Sequence, residues 1–448
     1  MKRYLAFLSL ALALVACTKT ALPGDNPFDD PQGNSGKVPT VSDPISVTSP
    51  EPKAGSIRMI SLTPEQQDFS AESNAFAFKS LAQLYKQSAH SFVYSPLSVQ
   101  YALAMAVNGA SGGTAAEITR ALGFGSDVEA LNAYCNLLLN QLPALDENVQ
   151  IKMADALVVD GNYPLLPGYE QQMEQVYYAP VEYMSFAKKG EVVARINEWA
   201  YRNTNGLIFP FLHEEDLDHA IAVILNALYF KAPWMSSLGM PMFLPDFTMA
   251  GETFYKDGGG TAKVDLMCHT SHLGFAVRDG FRMVEIPYSG GKFAMYVMLP
   301  DAVGKQGLKQ LVSAMEKASW KDLRESFTYT TKVHLRLPKF ETASRFQLAS
   351  ILQALGIRQA FGMSASFDRM FAGKGSFFIS NVLQKARIKV TEWGTEAAAV
   401  TAVMMAGDPG PGAVPPPEAD FFCDHPFAYV IAERSSGTIL FEGIFTGE

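Results

Sequence analysis

Cysteine is scarce in this sequence, which removes one common way of holding a fold together. Four cysteines occur among 448 residues. Cys17 lies near the N-terminus, and Cys135, Cys268 and Cys423 form an odd set at wide spacing. Disulfide-stapled domains carry even, closely spaced sets. We expect no disulfide framework here, and these three thiols, whose state the sequence does not fix, are best read as small apolar side chains.

Runs of basic residues are also missing. The net charge is -9 and the isoelectric point is near 5.4. Proteins that bind nucleic acid usually present a basic patch or stripe, so this composition argues against nucleic acid as a partner. The apolar content of 48% is enough to bury a large core and excludes disorder over most of the chain.

Catalytic motifs are the third absence. The chain has no G-x-S-x-G elbow, Walker loop, H-E-x-x-H pair or paired C-x-x-C. The cluster of Cys268, His269 and His272 lies between strand-like segments and lacks a clear fourth ligand. The acidic run His213–Asp216 is typical of a solvated turn or helix start. We predict no metal site, no cofactor and no enzymatic activity, and an exported hydrolase remains the alternative.

The N-terminus carries an apolar run that is too short to span a bilayer. Lys2 and Arg3 precede roughly a dozen apolar residues, a pattern typical of an export signal. The sequence Leu14-Val15-Ala16-Cys17 then resembles a bacterial lipobox, in which the cysteine becomes the lipidated first residue. We predict a lipoprotein signal over residues 1–17 and a lipid anchor at Cys17 in a bacterial cell envelope, facing the periplasm or the outside. An ordinary signal peptide with a chance cysteine is the alternative.

The next segment is rich in residues that do not build regular structure. Residues 18–60 contain scattered Pro, Gly, Asp and Ser with almost no apolar periodicity. We predict a flexible linker here, and about forty such residues reach on the order of 35 Å. One domain over residues 61–448 is expected to follow.

Periodic apolar patterns fill this domain. Helical spacing occurs at Phe76–Gln87, and again after residue 113, where Thr114 and Glu117 form a predicted capping box. Helical patterns dominate the first half and β-type patterns the second, which predicts an α+β fold with a large, mostly antiparallel sheet. Several β-type runs are continuously apolar and are expected to be covered on both faces. The β-type runs are His219–Ala232, Phe281–Pro300, Lys332–Phe340, Ser376–Val390 and Phe427–Phe445.

A series of short blocks, in order from about residue 65 to the end, resembles the signature blocks of the serpin family. They are Ser95-Pro96-Leu97-Ser98, Ile196-Asn197-x-Trp199, LNALYFKAPW ending at Trp234, Glu285-Ile286-Pro287-Tyr288, Leu337-Pro338-Lys339-Phe340, GTEAAA at Gly394–Ala399, Asp424-His425-Pro426-Phe427 and LFEG at Leu440–Gly443. The resemblance implies three β-sheets, about nine helices and an exposed reactive-centre loop near the C-terminus.

That resemblance also implies a function, namely suicide-substrate inhibition of proteases by a monomer. A target protease cleaves the loop and forms an acyl-enzyme, and the loop then inserts into the central sheet and traps the protease in a covalent complex. The alternative is a serpin-fold surface protein that binds or supports without inhibiting. Its Pro-rich loop extension and Trp393, which stands where the family usually has a polar residue, favour that alternative.

The segment expected to insert is unusually rich in small residues. At period two, Thr395, Ala397 and Ala399 share one face, and the charged Glu396 lies on the other, where it can stay in water. A short Ala-rich helical turn is the competing interpretation, and the β-branched residues that follow oppose it. The predicted hinge and inserting residues are Glu392, Gly394, Thr395, Glu396, Ala397, Ala398, Ala399, Val400 and Thr401.

The scissile bond is less well defined. Counting the family's usual loop length from Gly394 ends at Asp408, but Pro409 follows, and most serine proteases reject proline there. Counting back from the block at residue 425 ends near Pro415 instead. The candidate scissile residues are Met404, Met405, Ala406 and Asp408. They suit elastase-, subtilisin- or chymotrypsin-like serine proteases, and papain-like cysteine proteases.

The resemblance assigns further residues to the opening through which the loop enters. Ser95, Ser98, Asn226 and Gln384, together called the gate here, match the family's polar shutter beneath the sheet, and Trp234 matches the aromatic of the breach at its top. Gln384 replaces a histidine that is usual in the family. Its amide is expected to bridge the serine hydroxyls and Asn226 without titrating near neutral pH.

Overall fold

The structure is a computed structural model that describes residues 53–88, 90–235, 241–372, 376–395 and 416–448. Several predictions lie outside these described residues. They are the signal and Cys17, the linker up to residue 52, the inserting residues Glu396, Ala397, Ala398, Ala399, Val400 and Thr401, and the candidate scissile residues Met404, Met405, Ala406 and Asp408.

The described residues contain nine α-helices, most of them in the first half of the chain. They are α1 (Pro64–Gln87), α2 (Pro96–Asn108), α3 (Gly112–Ala121), α4 (Val128–Gln141), α5 (Pro167–Val176), α6 (Lys189–Asn203), α7 (Lys305–Lys317), α8 (Trp320–Glu325) and α9 (Ala349–Ala354). Local sequence explains several starts. Thr63 and Gln66 form a capping box before α1, and Ser95 caps α2 ahead of Pro96.

The capping box predicted around Thr114 is wrong. Helix α3 begins at Gly112 after Ser111, so Thr114 lies inside the helix. Its buried hydroxyl accepts a hydrogen bond from the backbone N–H of Ser366 instead. The carboxylate of Glu117 likewise serves a distant segment, since it accepts from the N–H groups of Arg358 and Gln359.

Sixteen strands of the described chain form three sheets. They are β1 (Phe92–Tyr94), β2 (Gln150–Asp160), β3 (Val181–Met184), β4 (Ala222–Pro233), β5 (Met249–Tyr255), β6 (Thr261–His272), β7 (Gly274–Arg278), β8 (Phe281–Pro287), β9 (Phe293–Pro300), β10 (Lys332–Pro338), β11 (Phe340–Gln347), β12 (Leu383–Thr391), β13 (Gly394–Thr395), β14 (Glu418–Phe422), β15 (Phe427–Glu433) and β16 (Ile439–Phe445).

The strand orders are β11-β12-β13-β4-β2-β3 in the central sheet, β1-β16-β15-β9-β8-β7 in a second six-stranded sheet, and β14-β10-β6-β5 in a four-stranded sheet. Pairing is antiparallel except between β2 and β3 and between β10 and β14. Strands β9, β15 and β16 are buried along their whole length, as their continuous apolar runs predict. The predicted α+β fold with three sheets is confirmed.

The central sheet is covered on both faces. Helix α6 packs on one face against the small side chains Ala154, Ala156 and Val158 of β2. The other face, which carries Met153 and Leu157, joins the main core together with α2 and α4. The predicted gate lies on the face that α2 covers.

The folded body begins before the predicted boundary at residue 61. Ile60 is buried, and its N–H donates to the hydroxyl of Ser435 at 2.9 Å. The N–H of Ile57 donates to the carbonyl of Ala144 at 3.3 Å. The end of the predicted linker is therefore part of the packed domain. Across the described ranges, no helix has the length and apolar character needed to cross a membrane.

Candidate functional site

The predicted hinge forms a two-residue strand, β13, inside the central sheet. Gly394 lies opposite Pro233 of β4 and Thr391 of β12, and Thr395 lies between the neighbouring pair of residues, Ala232 and Val390. Both pairings are antiparallel, so β4 and β12 run parallel to each other. Among the described residues, β13 supplies the only ladder that links β12 to β4.

Only glycine fits at position 394. Its φ of +137° is a conformation that other residues rarely adopt. A Cβ atom at this position would lie 2.1 Å from the carbonyl oxygen of Ala232 and 2.7 Å from Cα of Pro233. The chain can pass between the two strands here because residue 394 has no side chain.

The side chain of Thr395 is fixed on the face of the central sheet that packs against the main core. Its side chain is 2% exposed, and its hydroxyl shares a 2.7 Å hydrogen bond with the hydroxyl of Tyr288. The ring of Tyr288 stacks on Trp234, with centroids 4.6 Å apart and planes 6° apart. The indole N–H of Trp234 donates to the carbonyl of Thr391 at 2.8 Å. Trp234 therefore contacts both β12 and the hydrogen-bond partner of Thr395.

Glu392 is held by charge where β12 ends. Its carboxylate lies 3.2 Å from Nζ of Lys339 and accepts from the hydroxyl of Thr248 at 2.9 Å. Burial alone would raise the pKa of Glu392, but hydrogen bonds from its own backbone, Thr248 and Lys339 keep it below its usual value. Trp393 next to it is half-buried, and its carbonyl accepts from the N–H of Trp234 at 3.3 Å. Both residues therefore fix the approach to β13.

A cavity separates the N-terminal parts of β4 and β12, on the C-terminal side of β13, and we call it the slot. Its volume is about 220 Å³. Strands β4 and β12 form its long walls, α2 lies along one side, and α6 with the segment that follows it lies along another. The lining is largely apolar, and all four gate residues contribute to it.

Three gate residues meet at the start of α2. The side-chain amide of Gln384 accepts from the N–H of Ser95 at 3.1 Å and donates to its carbonyl at 2.7 Å. The hydroxyl of Ser95 donates to the carbonyl of Leu440 at 2.8 Å and accepts from the N–H of Ser98 at 3.3 Å. Gln384 therefore binds the main chain of Ser95 rather than the serine hydroxyls, which differs from the expected bridge.

Asn226 lies in the same lining but does not contact Gln384 as expected. It stands on β4, across the slot from β12, and directly opposite Asp155 of β2. Its Nδ2 donates to Oδ1 of Asp155 at 2.8 Å. Sequence reasoning missed Asp155, and the available signal was a lone carboxylate inside the otherwise apolar run MADALVV.

The clusters weighed as metal sites make ordinary structural contacts. The ring of His269 shares a 2.8 Å hydrogen bond with Ser271. Asp216 accepts from the N–H of His213 and forms an ion pair with Arg345. In the described part of the chain, no group of three or more His, Cys, Asp or Glu side chains is placed to hold a metal.

The three cysteines of the body are free thiols in the structure. Cys135 and Cys423 are buried and Cys268 is half-buried. Burial raises the pKa of all three, which disfavours the reactive thiolate.

Comparison with known proteins agrees on one family. The family model described as "Serpin (serine protease inhibitor)" matches residues 71–446. Serpin-Z2B of Triticum aestivum is 30% identical over 392 residues, covering 83% of this chain and 94% of the relative. Serpin B3 of Homo sapiens is 28% identical over 391 residues, covering 83% and 97%.

Solved structures give the same result. Serpin48 of the insect Tenebrio molitor, described as a highly specific serpin, superposes with a TM-score of 0.74 at 28% identity, covering 86% of this chain and 99% of that one. The thermophilic serpin Tengpin in its native state superposes with a TM-score of 0.73 at 25% identity, covering 88% and 97%.

Proposed function

The chain belongs to the serpin family, and on that premise we propose that it is a suicide-substrate inhibitor of proteases. Serpins are protease inhibitors rather than catalytic enzymes, and they form complexes with their target proteases. The protease hydroxyl or thiol attacks a loop carbonyl, expels the downstream amine and remains linked to the loop as an acyl-enzyme. Insertion of the loop must then be faster than hydrolysis of the acyl-enzyme bond.

The observation that carries this proposal is the position of β13. Gly394 and Thr395 already pair with both β4 and β12, at the end of a cavity that separates the same two strands. A strand that continued from Thr395 would enter the slot and pair with both walls. It would gain ladder hydrogen bonds on two sides and bury apolar surface worth about 25 cal/mol per Å².

The register of β13 supports the same segment as the inserting strand. If the pairing continues one residue at a time, Ala397 lies between Phe230 and Ile388, and Ala399 lies between Leu228 and Ala386. Ala397 and Ala399 would then lie next to side chains that are already packed on β4 and β12, where there is room only for small residues. Thr401 would lie between Asn226 and Gln384, so that its hydroxyl meets the polar gate.

A denaturing gel tests the proposal. After incubation with subtilisin or an elastase, we expect a covalent band heavier than either protein. The variant Ala397→Arg should lose this band and be cleaved as a plain substrate, because the charge would have to enter the core. Its matched control, Ala398→Arg, places the same charge on the opposite face and should keep the band.

Clean cleavage of the wild-type chain, with the protease left fully active, would contradict inhibition. It would support the second function, a serpin-fold protein that binds without inhibiting.

We also propose that cleavage occurs close to Met404, Met405 or Ala406. The number of residues between Gly394 and these positions is close to the family's usual spacing between hinge and scissile bond. Residues 396–415 contain no Lys or Arg for a trypsin-like protease. Elastase-, subtilisin- and chymotrypsin-like proteases, or papain-like ones, fit this composition. Mass spectrometry of the released C-terminal fragment should show a new N-terminus between residues 405 and 407, and one beyond Pro409 would contradict the assignment.

The cellular part of the proposal rests on the N-terminal sequence. Members of the family are generally secreted or extracellular. We propose that residues 1–17 direct export, that Cys17 carries a lipid anchor in a bacterial envelope, and that a short tether holds a monomeric inhibitor clear of the membrane. In a bacterial host, the wild-type chain should fractionate with membranes and Cys17→Ser should not. Equal fractionation would contradict the anchor.

A further inference from the structure

Asp155 is a buried carboxyl beside the slot that the proposed insertion does not use. It lies on β2 directly opposite Asn226, the gate residue on β4. One hydrogen bond joins the two side chains, from Nδ2 of Asn226 to Oδ1 of Asp155 at 2.8 Å. Asp155 is 3% exposed, so water cannot replace its missing contacts.

One oxygen on each side chain has no partner among the described residues. These atoms are Oδ2 of Asp155 and Oδ1 of Asn226. While Asp155 is ionised, both are buried acceptors that belong to the same pair and repel each other. A proton on Oδ2 turns one acceptor into a donor, and the carboxyl and amide can then close a ring of two hydrogen bonds.

The surroundings of Asp155 favour its neutral form. Tyr101 of α2, Cys135 of α4 and Tyr177, which follows α5, are the titratable groups that face it. Burial raises the pKa of each of them, so they are uncharged near neutral pH and offer no cation to Asp155. Burial also raises the pKa of Asp155 to about 7, although the bond from Asn226 lowers it.

We propose that Asp155 and Asn226 form a proton-dependent catch at the gate of the slot. With the proton bound, the two-bond ring occupies Asn226 and ties β4 to β2. When the proton leaves, Oδ1 of Asn226, a residue that lines the slot, becomes free to accept a hydrogen bond from a strand that enters there. This coupling to insertion rests on the proposed function, whereas protonation of Asp155 does not.

The protonation is tested by infrared difference spectra of the full-length protein across neutral pH. Between about pH 6 and about pH 8 we expect a difference band from the loss of a protonated carboxyl, and this difference band should be missing in Asp155→Asn. The matched control is Asp160→Asn, at the end of the same strand, where Asp160 is buried but accepts two hydrogen bonds from Asn162. This control should keep the band, and a wild-type spectrum without it would overturn the proposal.

The coupling is tested by the fraction of protease trapped in the covalent complex. An amide at position 155 can donate to Asn226 at every pH, so Asp155→Asn keeps the ring closed. The wild-type and variant fractions should be equal at about pH 6, and the wild-type fraction should be several-fold larger at about pH 8. Dividing one by the other at each pH cancels the pH dependence of the protease itself.

A ratio that stays constant with pH would overturn the coupling. If neither protein traps protease at any pH, the proposed function fails, and the catch is judged on the intact protein alone. In that case, the heat-unfolding midpoint of the wild type must fall relative to Asp155→Asn as pH rises toward about 7, and an unchanged difference would overturn the catch as well.

Discussion

The conformation of the hinge depends on individual atoms of Gly394 and Thr395. Gly394 passes between β4 and β12 because it lacks a Cβ, and Thr395 is fixed by one hydroxyl contact with Tyr288. Glu442 of β16 is the opposite case. It is fully buried, and neither carboxyl oxygen has a hydrogen-bond partner among the described residues. Such a group weakens the fold unless it is protonated.

The hinge glycine gives the first prediction. Gly394→Ala should lower the free energy of unfolding by more than about 1–2 kcal/mol, because strain at positive φ adds to a clash with the carbonyl of Ala232. The control is Gly251→Ala, which has φ of +67° and open space around its Cβ, so it should show the strain alone. Urea unfolding of both variants measures the difference, and equal losses would contradict a steric role.

Glu442 gives a pH-dependent prediction. Burial raises the pKa of Glu442 well above its ordinary value of 4.5, so the folded state holds a proton that the unfolded state releases. Stability should therefore be greatest below about pH 4.5 for this group and fall as pH rises toward the raised pKa. Glu442→Gln should reduce the fall of the free energy of unfolding with rising pH. Urea titrations at several pH values measure this dependence.

The exposed residue Glu341, which pairs with Arg387 and Lys389, provides the control. If Glu341→Gln and Glu442→Gln change the pH dependence equally, then burial of Glu442 is not its cause.

At the scale of helices and strands, apolar periodicity and turn chemistry predict much of the fold. The runs at Phe76–Gln87 and Phe427–Phe445 fall in α1 and in β15 and β16, since period and apolar content are local properties. The cap at Thr114 is wrong because Ser111 offers an earlier start and Ser366 uses the threonine hydroxyl. Such a contact joins residues far apart in the chain, which no local pattern reveals.

One clamp between elements can be tested directly. The side chain of Asn197 on α6 accepts from the N–H groups of Phe211 and Leu212, both at 2.7 Å, and donates to the carbonyl of Leu212 at 2.9 Å. Asn197→Ala would leave three backbone groups unpaired and should lower the free energy of unfolding by about 2–4 kcal/mol.

The control for this clamp is Asn203→Ala near the end of the same helix. Among the residues that the structure describes, the side chain of Asn203 makes one hydrogen bond, to the carbonyl of Trp199. Its loss should lower the free energy of unfolding by about 1 kcal/mol or less. A loss as large as that of Asn197→Ala would mean that helix propensity, and not the clamp, sets the effect.

At the scale of the whole molecule, the two halves of the central sheet are joined by β13 alone in the described chain. The order of the sequence blocks is enough to predict the family and the three sheets. The slot and the pairing of Asp155 with Asn226 could not be predicted, because both depend on which strands end up opposite each other. Gln384 shows the same limit, since its partner is the main chain of Ser95.

The central claim is that the folded chain is metastable and that its cleaved loop is more stable as a strand in the slot. The most direct test is the heat-unfolding midpoint of the protein before and after a single proteolytic cut between residues 404 and 408. A full strand added between β4 and β12 should raise the midpoint by about tens of degrees. An unchanged midpoint after complete cleavage would contradict the account.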